Sequence, residues 1–453
     1  MQVASSGRAS ISRTVPTAPG GRVTVPVSHL LVGHQLRRPI WDDRGVLLLA
    51  EGAVITSRFK ELLQRRGEQT VSADPADAAQ FSSTHADCTP DDGPITTTPA
   101  EVTLSAASKS MITILDTHVD NGNLLVKNSG PPLAERLKNR GASGYSGSDQ
   151  EHSSATQRAG SSVVDGMIQQ VAAGRRVESH PIVSLAGETL EMLLADPDCA
   201  LATAVNDLDG SNLSDSSMRT SVLSMALGIE MGYDEKNVRL LGLCGLVHDW
   251  GMCRVNPQLL AVPKTLHPVD FLEIKKHPIW SLEMLQNVAG LPAVASLICY
   301  QSHERPDGKG YPRGRKSPQT HPFARIIRVV DTFSALISKR AFRKALNPAA
   351  AMECLLTLSA ENLLDADTVR RTLLLLSTFP PGTHVRLRDG RLACSLRRNG
   401  THQSLPIIEI LSGDSAGTVV DPKAAGLSIA SAVPRPDRDE GELTTADIER
   451  GSR

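Results

Sequence analysis

Residues 236–250, KNVRLLGLCGLVHDW, decide the fold class of this chain. Apolar residues recur there at intervals of three and four, which is the period of one face of an α-helix. The pattern stops at the dipeptide His248-Asp249. Similar stretches follow one another with short connections: VVDGMIQQVAAG, PIVSLAGETLEMLLA, MRTSVLSMALGIEMG, VDFLEIKKHPIWSLEMLQNV, ARIIRVVDTFSALIS and AAAMECLLTL. We therefore predict a mainly α fold with an all-helical bundle over residues 163–378.

Weaker patterns flank this bundle. Strand-like apolar runs, an Asp-Asp-Arg-Gly turn and an amphipathic segment predict a small α+β module at residues 27–72. Alternating residues around an Asp-Gly turn predict a small β-hairpin region at residues 379–412, with LPIIEIL as a further strand. Composition rich in Ser, Thr, Asp, Gly and Pro predicts three segments without a core. They are a disordered N-terminus at 1–26, a low-complexity linker at 73–162 and a disordered tail at 413–453.

Composition limits the classes of partner. The 453 residues include 48 basic and 49 acidic residues, so no excess charge points to a nucleic acid polymer or an anionic membrane. The seven cysteines are scattered and form no CxxC pair, which fits neither a disulfide framework nor a thiolate zinc site. No apolar run approaches the ~20 residues that cross a bilayer. We expect a soluble, cytoplasmic protein without a membrane partner.

Histidines and carboxylates recur through the predicted bundle. His248, Asp249, His277, His303 and Asp331 are all expected at helix ends or in adjoining loops. Neutral imidazole and carboxylate are ligands of divalent Fe, Mn, Zn or Ni, and a carboxylate beside a histidine can bridge two ions. Two such ions bind a phosphodiester and lower the pKa of a bound water. A structural histidine explains any one of these positions as well; their combination with HERPDGKGYP favours a metal centre.

Four stretches together resemble the HD-GYP domain, a class of metal-dependent phosphodiesterases that hydrolyse the bacterial second messenger cyclic di-GMP. These stretches are LVHDWGM, KKHPIWSLEML, SHERPDGKGYP and ARIIRVVDTFSALISKRAFRKAL. The resemblance covers about residues 165–375. It implies an HD-type helical bundle, a metal cofactor of one or two ions such as Fe or Mn, and cyclic di-GMP as the partner molecule.

The resemblance also implies roles for residues. His248 and Asp249 are the catalytic HD pair, and Asp249 bridges two ions. One ion would be bound by His248, Asp249 and Asp331, and the other by Asp249, His277 and His303.

The loop of the signature has its own implied roles. Gly310, Tyr311 and Pro312 match the GYP element, which in the family lies near the site and has been linked to contacts with signalling proteins such as diguanylate cyclases. Arg305 either meets a phosphate or holds the loop through Asp307, and these two alternatives stay open. For Asp307 we favour the structural role, and Gly308 falls in the same loop.

Three polar positions of the family pattern are replaced. Ser216 stands at the first ligand histidine, Met252 at the lysine of His-Asp-Ile-Gly-Lys, and Ser302 at the first histidine of His-His-Glu. Serine is a poor ligand for a transition metal, so each ion would lose one protein ligand. We do not expect rescue by Asp215, since neighbours on a helix point about 100° apart. We interpret the two unassigned histidines as surface residues; they are His267 and His321.

Two functions follow from this pattern. The first is a working cyclic di-GMP phosphodiesterase, favoured by the five retained ligand positions. The second is a catalytically degenerate HD-GYP domain that binds nucleotide or protein partners as a regulatory module, favoured by the triple replacement. A weaker third possibility is a different phosphoester, because an HD-type metal site does not itself select a cyclic dinucleotide.

Overall fold

The protein is described by a computed structural model. It describes residues 17–18, 21–81 and 106–444, with gaps at 33, 43, 67, 79–80, 123, 139, 209–211, 262–267, 401, 437 and 439. The chain divides into two compact units, residues 1–101 and residues 102–453. Among the described residues, no helix combines the length and apolar character needed to span a membrane.

The first unit is a small α+β module. Its five-stranded sheet has the order β1-β2-β5-β3-β4, and two helices accompany it. The strands are β1 (Thr17–Ala18), β2 (Arg22–Pro26), β3 (Ile40–Trp41), β4 (Leu47–Leu49) and β5 (Thr70–Ala73), the helices α1 (Ser57–Arg65) and α2 (Pro75–Ala78), with a 3₁₀ turn at Val27–His29. The predicted disorder at residues 1–26 is wrong for β2, which pairs with β5 and buries Val25. Residues 1–16 lie outside the described part.

The second unit is mainly helical, as the sequence predicted. Its α-helices are α3 (Ala106–Asp120), α4 (Gly147–Ala172), α5 (His180–Ala195), α6 (Pro197–Asn206), α7 (Leu213–Glu230), α8 (Glu235–Val247), α9 (Pro257–Leu260), α10 (Pro268–Ile274), α11 (His277–Leu285), α12 (Ala293–Gln301), α13 (Pro322–Leu336), α14 (Pro348–Ala360) and α15 (Ala366–Leu376). Three 3₁₀ turns lie among the described residues of this unit, at Leu133–Arg136, Trp250–Arg254 and Ser317–Gln319.

The described part of the predicted linker at 73–162 contains α2, α3 and the first part of α4, and this prediction needs correction. Helix α4 begins with Ser146 as its N-cap and buries an apolar face at its C-terminal half. Its N-terminal half buries small and polar side chains instead, at Ser153, Gln157, Gly160 and Ser161. A Cβ at Gly160 would lie 2.7 Å from Met218 Sδ, so the bundle packs closely there. The buried face of this half of α4 consists of small and polar residues, so its composition led to the prediction of a linker.

Small sheets complete the second unit. The five-stranded sheet has the order β12-β11-β10-β9-β13, and the predicted hairpin is its centre. The strands are β6 (Val177–Glu178), β7 (Val288–Ala289), β8 (Ala345–Leu346), β9 (His384–Leu387), β10 (Leu392–Arg397), β11 (Ile407–Ile410), β12 (Val419–Val420), β13 (Ile429–Ala432) and β14 (Glu440–Gly441). The predicted disorder from residue 413 is therefore wrong for β12 to β14. Val420 and Ile429 pack on the buried face of this sheet, which gives the tail its order.

Two glycines set the distances between the helices that carry the site. A Cβ on Gly245 of α8 would lie 2.7 Å from the Cα of Ser221 on α7, so these helices touch backbone to backbone. A Cβ on Gly251 would overlap the carbonyl oxygen of His277 and would lie 2.5 Å from Ser281 N. The Gly251 N–H donates to Ser281 Oγ over 2.8 Å. The end of α8 is thereby fixed against the start of α11.

We predict that Gly245→Ala lowers the free energy of unfolding by about 1–3 kcal/mol, because the added methyl group meets backbone atoms that cannot move aside. Gly166→Ala is the matched control, since a Cβ at that helical position of α4 meets nothing within 4 Å. It should raise stability by about 0.5–1 kcal/mol through helix propensity. Chemical denaturation followed by circular dichroism measures both. Equal stability of the two variants would contradict the close contact of α7 and α8.

Candidate metal centre

Five side chains from four segments meet in the bundle. His248 and Asp249 follow the last residue of α8, His277 is the first residue of α11, and His303 follows α12 by two residues. The expectation that all five lie at helix ends is wrong for Asp331, which lies in the interior of α13. That helix begins earlier, because His321 caps it and Pro322 occupies its first turn.

Three ligand atoms form a compact triangle. His277 Nε2 and His303 Nε2 are 2.9 Å apart, and each lies 3.1 Å from Asp249 Oδ1. Neighbouring ligands at 90° around an ion with bonds of ~2.1 Å are about 3.0 Å apart. The separations therefore fit one face of an octahedral site with two histidines and one carboxylate. We refer to Asp249, His277 and His303 as the triangle group.

A second potential site shares Asp249. His248 Nε2 lies 3.6 Å from Asp249 Oδ1 and 3.7 Å from Asp331 Oδ1, and the three residues could hold a metal ion. Both distances exceed a hydrogen bond, and among the described residues the buried Nε2 atom has no hydrogen-bond partner. A buried ring nitrogen that faces two carboxylates is an arrangement that suits a divalent ion. We refer to His248, Asp249 and Asp331 as the histidine-aspartate group.

Backbone carbonyls orient two of the imidazoles. His248 Nδ1 lies 2.9 Å from Gly245 O, and His277 Nδ1 lies 2.7 Å from Ile274 O. A carbonyl only accepts, so each Nδ1 carries a proton, and in the neutral form of each ring Nε2 has the lone pair that a metal needs. This is the outer hydrogen bond that metal-binding histidines commonly make. His303 has a different partner, because Arg328 Nη1 lies 3.3 Å from its Nδ1.

The carboxylates are held ionised. Burial would raise the pKa of Asp249, but the charge of His248 and a hydrogen bond from His303 hold that pKa well below the usual range. The pKa of Asp331 is also lowered, since His248 outweighs the effects of burial and of neighbouring Asp249. Two acceptor groups with full negative charge at pH 7 suit a divalent cation.

The histidines differ in protonation. Burial lowers the pKa of His248, but the negative charges of Asp249 and Asp331 raise it to about 9. His303 has the opposite shift, because burial and the neighbouring His277 lower its pKa to about 4. In the metal-free protein at pH 7, His248 is therefore an imidazolium between two carboxylates, and His303 is neutral.

The site opens on its carboxylate side. The side chains of His248, His277 and His303 are 1%, 2% and 5% exposed, whereas Asp249 is 17% and Asp331 is 16% exposed. The three imidazoles thus form the buried side of the site, and solvent reaches the centre past the two carboxylates. Both carboxylates are negatively charged, so an anionic substrate can approach the centre only when an ion or a proton lies between them.

The GYP element forms part of the wall of the site. The Tyr311 ring stacks on His303 with centroids 5.0 Å apart and an interplanar angle of 2°, and it meets His277 edge to face. Tyr311 N–H donates to His303 O over 3.1 Å, and a Cβ on Gly310 would lie 2.6 Å from Glu304 C. Tyr311 and Pro312 are buried. Their side chains support the histidines and are not available to a protein partner.

Ion pairs and buried carboxylates hold the rest of the loop. Arg305 donates to both oxygens of Asp307, from Nε over 3.0 Å and from Nη2 over 2.6 Å. Of the two alternatives for Arg305, the structure has the contact with Asp307, which also accepts from Lys309 N–H over 3.0 Å. Gly308 has φ +78°, a left-handed conformation that favours glycine at this turn.

Glu304 ties the loop to its continuation. Its carboxylate accepts the N–H groups of Arg313 and Arg315, both over 2.7 Å. Burial raises the pKa of Glu304 to about 7 against the effect of these donors. The same two arginines form ion pairs with Asp116 and Asp120 of α3. Helix α3 therefore lies against the signature loop, in a segment that the sequence predicted to be a linker.

The replaced positions contribute no imidazole or ammonium group to the site. Ser302 is buried and its hydroxyl donates to Cys299 O of its own helix over 2.8 Å. Ser216 lies in the first turn of α7, and Met252 in the 3₁₀ turn after Asp249; both are half-buried. Asp215 lies in the first turn of α7, where its carboxylate accepts the amide of the N-cap Asn212 over 3.0 Å.

One further histidine prediction needs correction. His321 was interpreted as a surface residue, but it is buried and its Nδ1 accepts the Phe323 N–H over 3.1 Å. Burial and the charge of Arg325 lower the pKa of His321 to about 4. It is the N-cap of α13, a role that the following proline could have signalled. His267 lies outside the described residues.

Sequence reasoning missed Arg328, which is 7% exposed and contacts His303. A signal was present, because a charged residue in the apolar run ARIIRVVD lies three positions before Asp331 and so on the same helix face.

Comparisons with known proteins agree with this site. Residues 200–368 match the family described as HD domain. The chain is 27% identical over 253 residues to a cyclic di-GMP phosphodiesterase of Pseudomonas aeruginosa, which covers 56% of this chain and 60% of that protein. It is 31% identical over 153 residues to a cyclic di-GMP phosphodiesterase response regulator of Xanthomonas campestris pv. campestris, with 34% and 40% covered.

A third relative has a different cyclic dinucleotide in its name. It is the 3'3'-cGAMP-specific phosphodiesterase 1 of Vibrio cholerae, 34% identical over 134 residues, with 29% of this chain and 30% of that protein covered. The chain thus spans between 30% and 60% of the length of these three relatives. The solved structure of Bd1817, an HDG"Y"P protein from Bdellovibrio bacteriovorus, aligns over 78% of this chain and 98% of its own at 18% identity, with a TM-score of 0.42.

The region that matches the HD domain contains the residues of the site. The HD domain match includes all five potential ligands and the Gly310-Tyr311-Pro312 loop. The curated relatives are named as phosphodiesterases of cyclic di-GMP or of 3'3'-cGAMP. Residues 200–368 of the chain match an HD domain, and the site lies within that match.

Proposed function

We propose that this protein is a metal-dependent phosphodiesterase that hydrolyses a cyclic dinucleotide, with cyclic di-GMP as substrate and linear pGpG or GMP as product. One observation supports this most strongly: Asp249 belongs to two groups of three potential ligands whose atoms lie within 4.8 Å of one another. Both groups contain imidazole and carboxylate, the donors that divalent Fe or Mn accepts.

The chain's own residues have separate tasks in the proposed reaction. His248, Asp249 and Asp331 would hold the ion, and Asp249 is placed to touch both groups. A divalent ion in this site supplies Lewis acidity, which activates water and stabilises negative charge on phosphoryl oxygens. The three buried imidazoles exclude bulk water from their side of the site. The two partly exposed carboxylates, Asp249 and Asp331, lie on the side from which the phosphodiester would approach.

The substrate proposal rests on the relatives. Two of them are named for cyclic di-GMP and one for 3'3'-cGAMP, so the shared chemistry is a 3'-5' phosphodiester within a cyclic dinucleotide. Because cyclic di-GMP is an intracellular messenger in the family that the sequence resembles, the proposed place of action is the cytoplasm. Protein partners receive no support from the buried GYP side chains.

We predict that Asp249→Asn abolishes turnover of cyclic di-GMP. Loss of an outer-shell partner costs about 10–100-fold, and loss of a ligand shared by two groups should exceed that range. The assay is anaerobic incubation of the purified chain with Mn or Fe, with linear product resolved by chromatography. Asp367→Asn is the control, since that carboxylate is exposed and pairs with Arg370 away from the site.

Three outcomes of this assay have distinct meanings. Turnover by the unchanged chain and by Asp367→Asn, with none by Asp249→Asn, is the expected result. Turnover that survives Asp249→Asn contradicts the proposed site. Absence of turnover by the unchanged chain at every metal loading, beside an active family member, contradicts the proposed function.

We also predict that metal affinity rises with pH. The ion must displace the proton of His248, whose pKa is raised to about 9 by Asp249 and Asp331. Below pH 9 each unit of pH lowers the fraction of neutral imidazole about tenfold, so the apparent affinity should fall by a similar factor. Titration with Mn(II) at pH 6.5, 7.5 and 8.5, followed by electron paramagnetic resonance, measures this. An affinity independent of pH would show that His248 is not a ligand.

A further inference from the structure

We propose that Arg328 keeps the triangle group free of metal, so that the protein binds a single ion in the histidine-aspartate group. This inference rests on the proposed function, because it concerns the number of ions at that same site. It is motivated by the contact between Arg328 and His303, which differs in kind from the backbone contacts of His248 and His277.

The hydrogen-bond donors settle the tautomers of the triangle group. Arg328 Nη1, 3.3 Å from His303 Nδ1, can only donate, so this Nδ1 accepts and the proton of the neutral ring lies on Nε2. His277 has the reverse arrangement, since Ile274 O binds its Nδ1 proton and leaves a lone pair on Nε2. The two Nε2 atoms are 2.9 Å apart. His303 therefore donates to His277, and Asp249 Oδ1 lies 3.1 Å from the same donor.

The resulting chain of hydrogen bonds forms without an ion. It runs from Arg328 through His303 and His277 to Ile274 O, and the His303 Nε2 proton also faces Asp249 Oδ1. Flipping the His303 ring would place carbon atoms against Arg328 and against Asp249, which loses both contacts. To bind metal through Nε2, His303 would have to move its proton to Nδ1, where it would face the donor group of Arg328.

Charge acts in the same direction. Arg328 is 7% exposed and, in the described part of the chain, its Nε has no hydrogen-bond partner. Its guanidinium is attracted at longer range to Asp331 and Asp249. A dication bound by His303 Nε2 would lie across the imidazole ring from the Arg328 guanidinium. Repulsion in a buried site is weakly screened.

The histidine-aspartate group shows the opposite features. His248 Nδ1 donates to a backbone carbonyl, and its Nε2 has no partner among the described residues. That atom faces Asp249 and Asp331, so an ion there would satisfy a buried group that is otherwise unpaired. In the triangle group the two imidazoles bond to each other, whereas His248 Nε2 faces only the two carboxylates.

The test is the metal content of two substitutions at position 328. Arg328→Gln removes the charge and offers an amide oxygen that can accept the His303 Nδ1 proton, so it should admit a second ion. Arg328→Lys keeps a buried cation and donor and should retain one ion. Arg325→Met is the control for the helix, because Arg325 pairs with Asp365 and not with His303. Each protein is reconstituted anaerobically with Mn(II), desalted and analysed for metal per chain.

Electron paramagnetic resonance provides a second readout on the same samples. We expect one isolated Mn(II) ion in the unchanged protein, in Arg328→Lys and in Arg325→Met, and a spin-coupled pair in Arg328→Gln. Two ions in the unchanged protein would overturn the inference while leaving the proposed function standing. No ion at all would contradict the proposed function. One ion in both the unchanged protein and Arg328→Gln would show that Arg328 does not control the count.

Two further variants identify the occupied group, and one measurement does not depend on any substitution. His303→Ala should retain the single ion, and His248→Ala should lose it; the reverse would overturn the assignment. If Arg328→Gln fails to fold, long-range ¹H–¹⁵N spectra of the unchanged metal-free protein still decide. They should show His303 protonated at Nε2 and His277 at Nδ1, and a proton on His303 Nδ1 would contradict the inference.

Discussion

The contact of Asp249 with histidines from separate helices is the interaction on which the rest of the site depends. Its Oδ1 atom lies 3.1 Å from His277 and from His303, and 3.6 Å from His248. The charge of His248 and the Nε2 proton of His303 keep Asp249 ionised, and the ionised carboxylate in turn makes this centre attractive to a cation. The close approach of Gly251 to α11 makes the contact possible, because it fixes the end of α8 against His277.

Around this carboxylate the two groups of potential ligands are unequal. The triangle group has the shorter distances, but its nitrogens already pair with one another and with Arg328. The histidine-aspartate group is wider, and His248 Nε2 has no hydrogen-bond partner among the described residues. Distance alone would rank the triangle group first. The hydrogen-bond roles of the ring nitrogens rank it second, because a ligand must present a lone pair and not a proton. Ser216, Met252 and Ser302 stand where the family pattern has a histidine, a lysine and a histidine. Their presence fits a centre with a reduced capacity to bind metal.

The sequence predicted the helical bundle, the two flanking small-sheet regions and the residues that meet at the site. Apolar periodicity predicted the helices, and the order of the motifs predicted the candidate ligands, because both patterns lie in short stretches of sequence. The prediction from sequence failed where the structure depends on burial or on contacts between residues that are far apart in the chain. Helix α4 buries serine, glutamine and glycine at Gln157 and its neighbours, so composition resembled a linker. His321 is a helix cap inside the bundle, and only its burial distinguishes it from a surface histidine. The tautomer of His303 depends on a partner 25 residues away, which no spacing rule reveals.

The central claim is that the retained ligands bind one ion at His248, Asp249 and Asp331. Anomalous diffraction from crystals grown anaerobically with Mn(II), recorded on both sides of the manganese edge, tests this most directly. The account predicts one peak, within bonding distance of His248 Nε2 and both carboxylates, and His303 Nε2 still in contact with His277. Two peaks of equal height, or a single peak between His277 and His303, would contradict it.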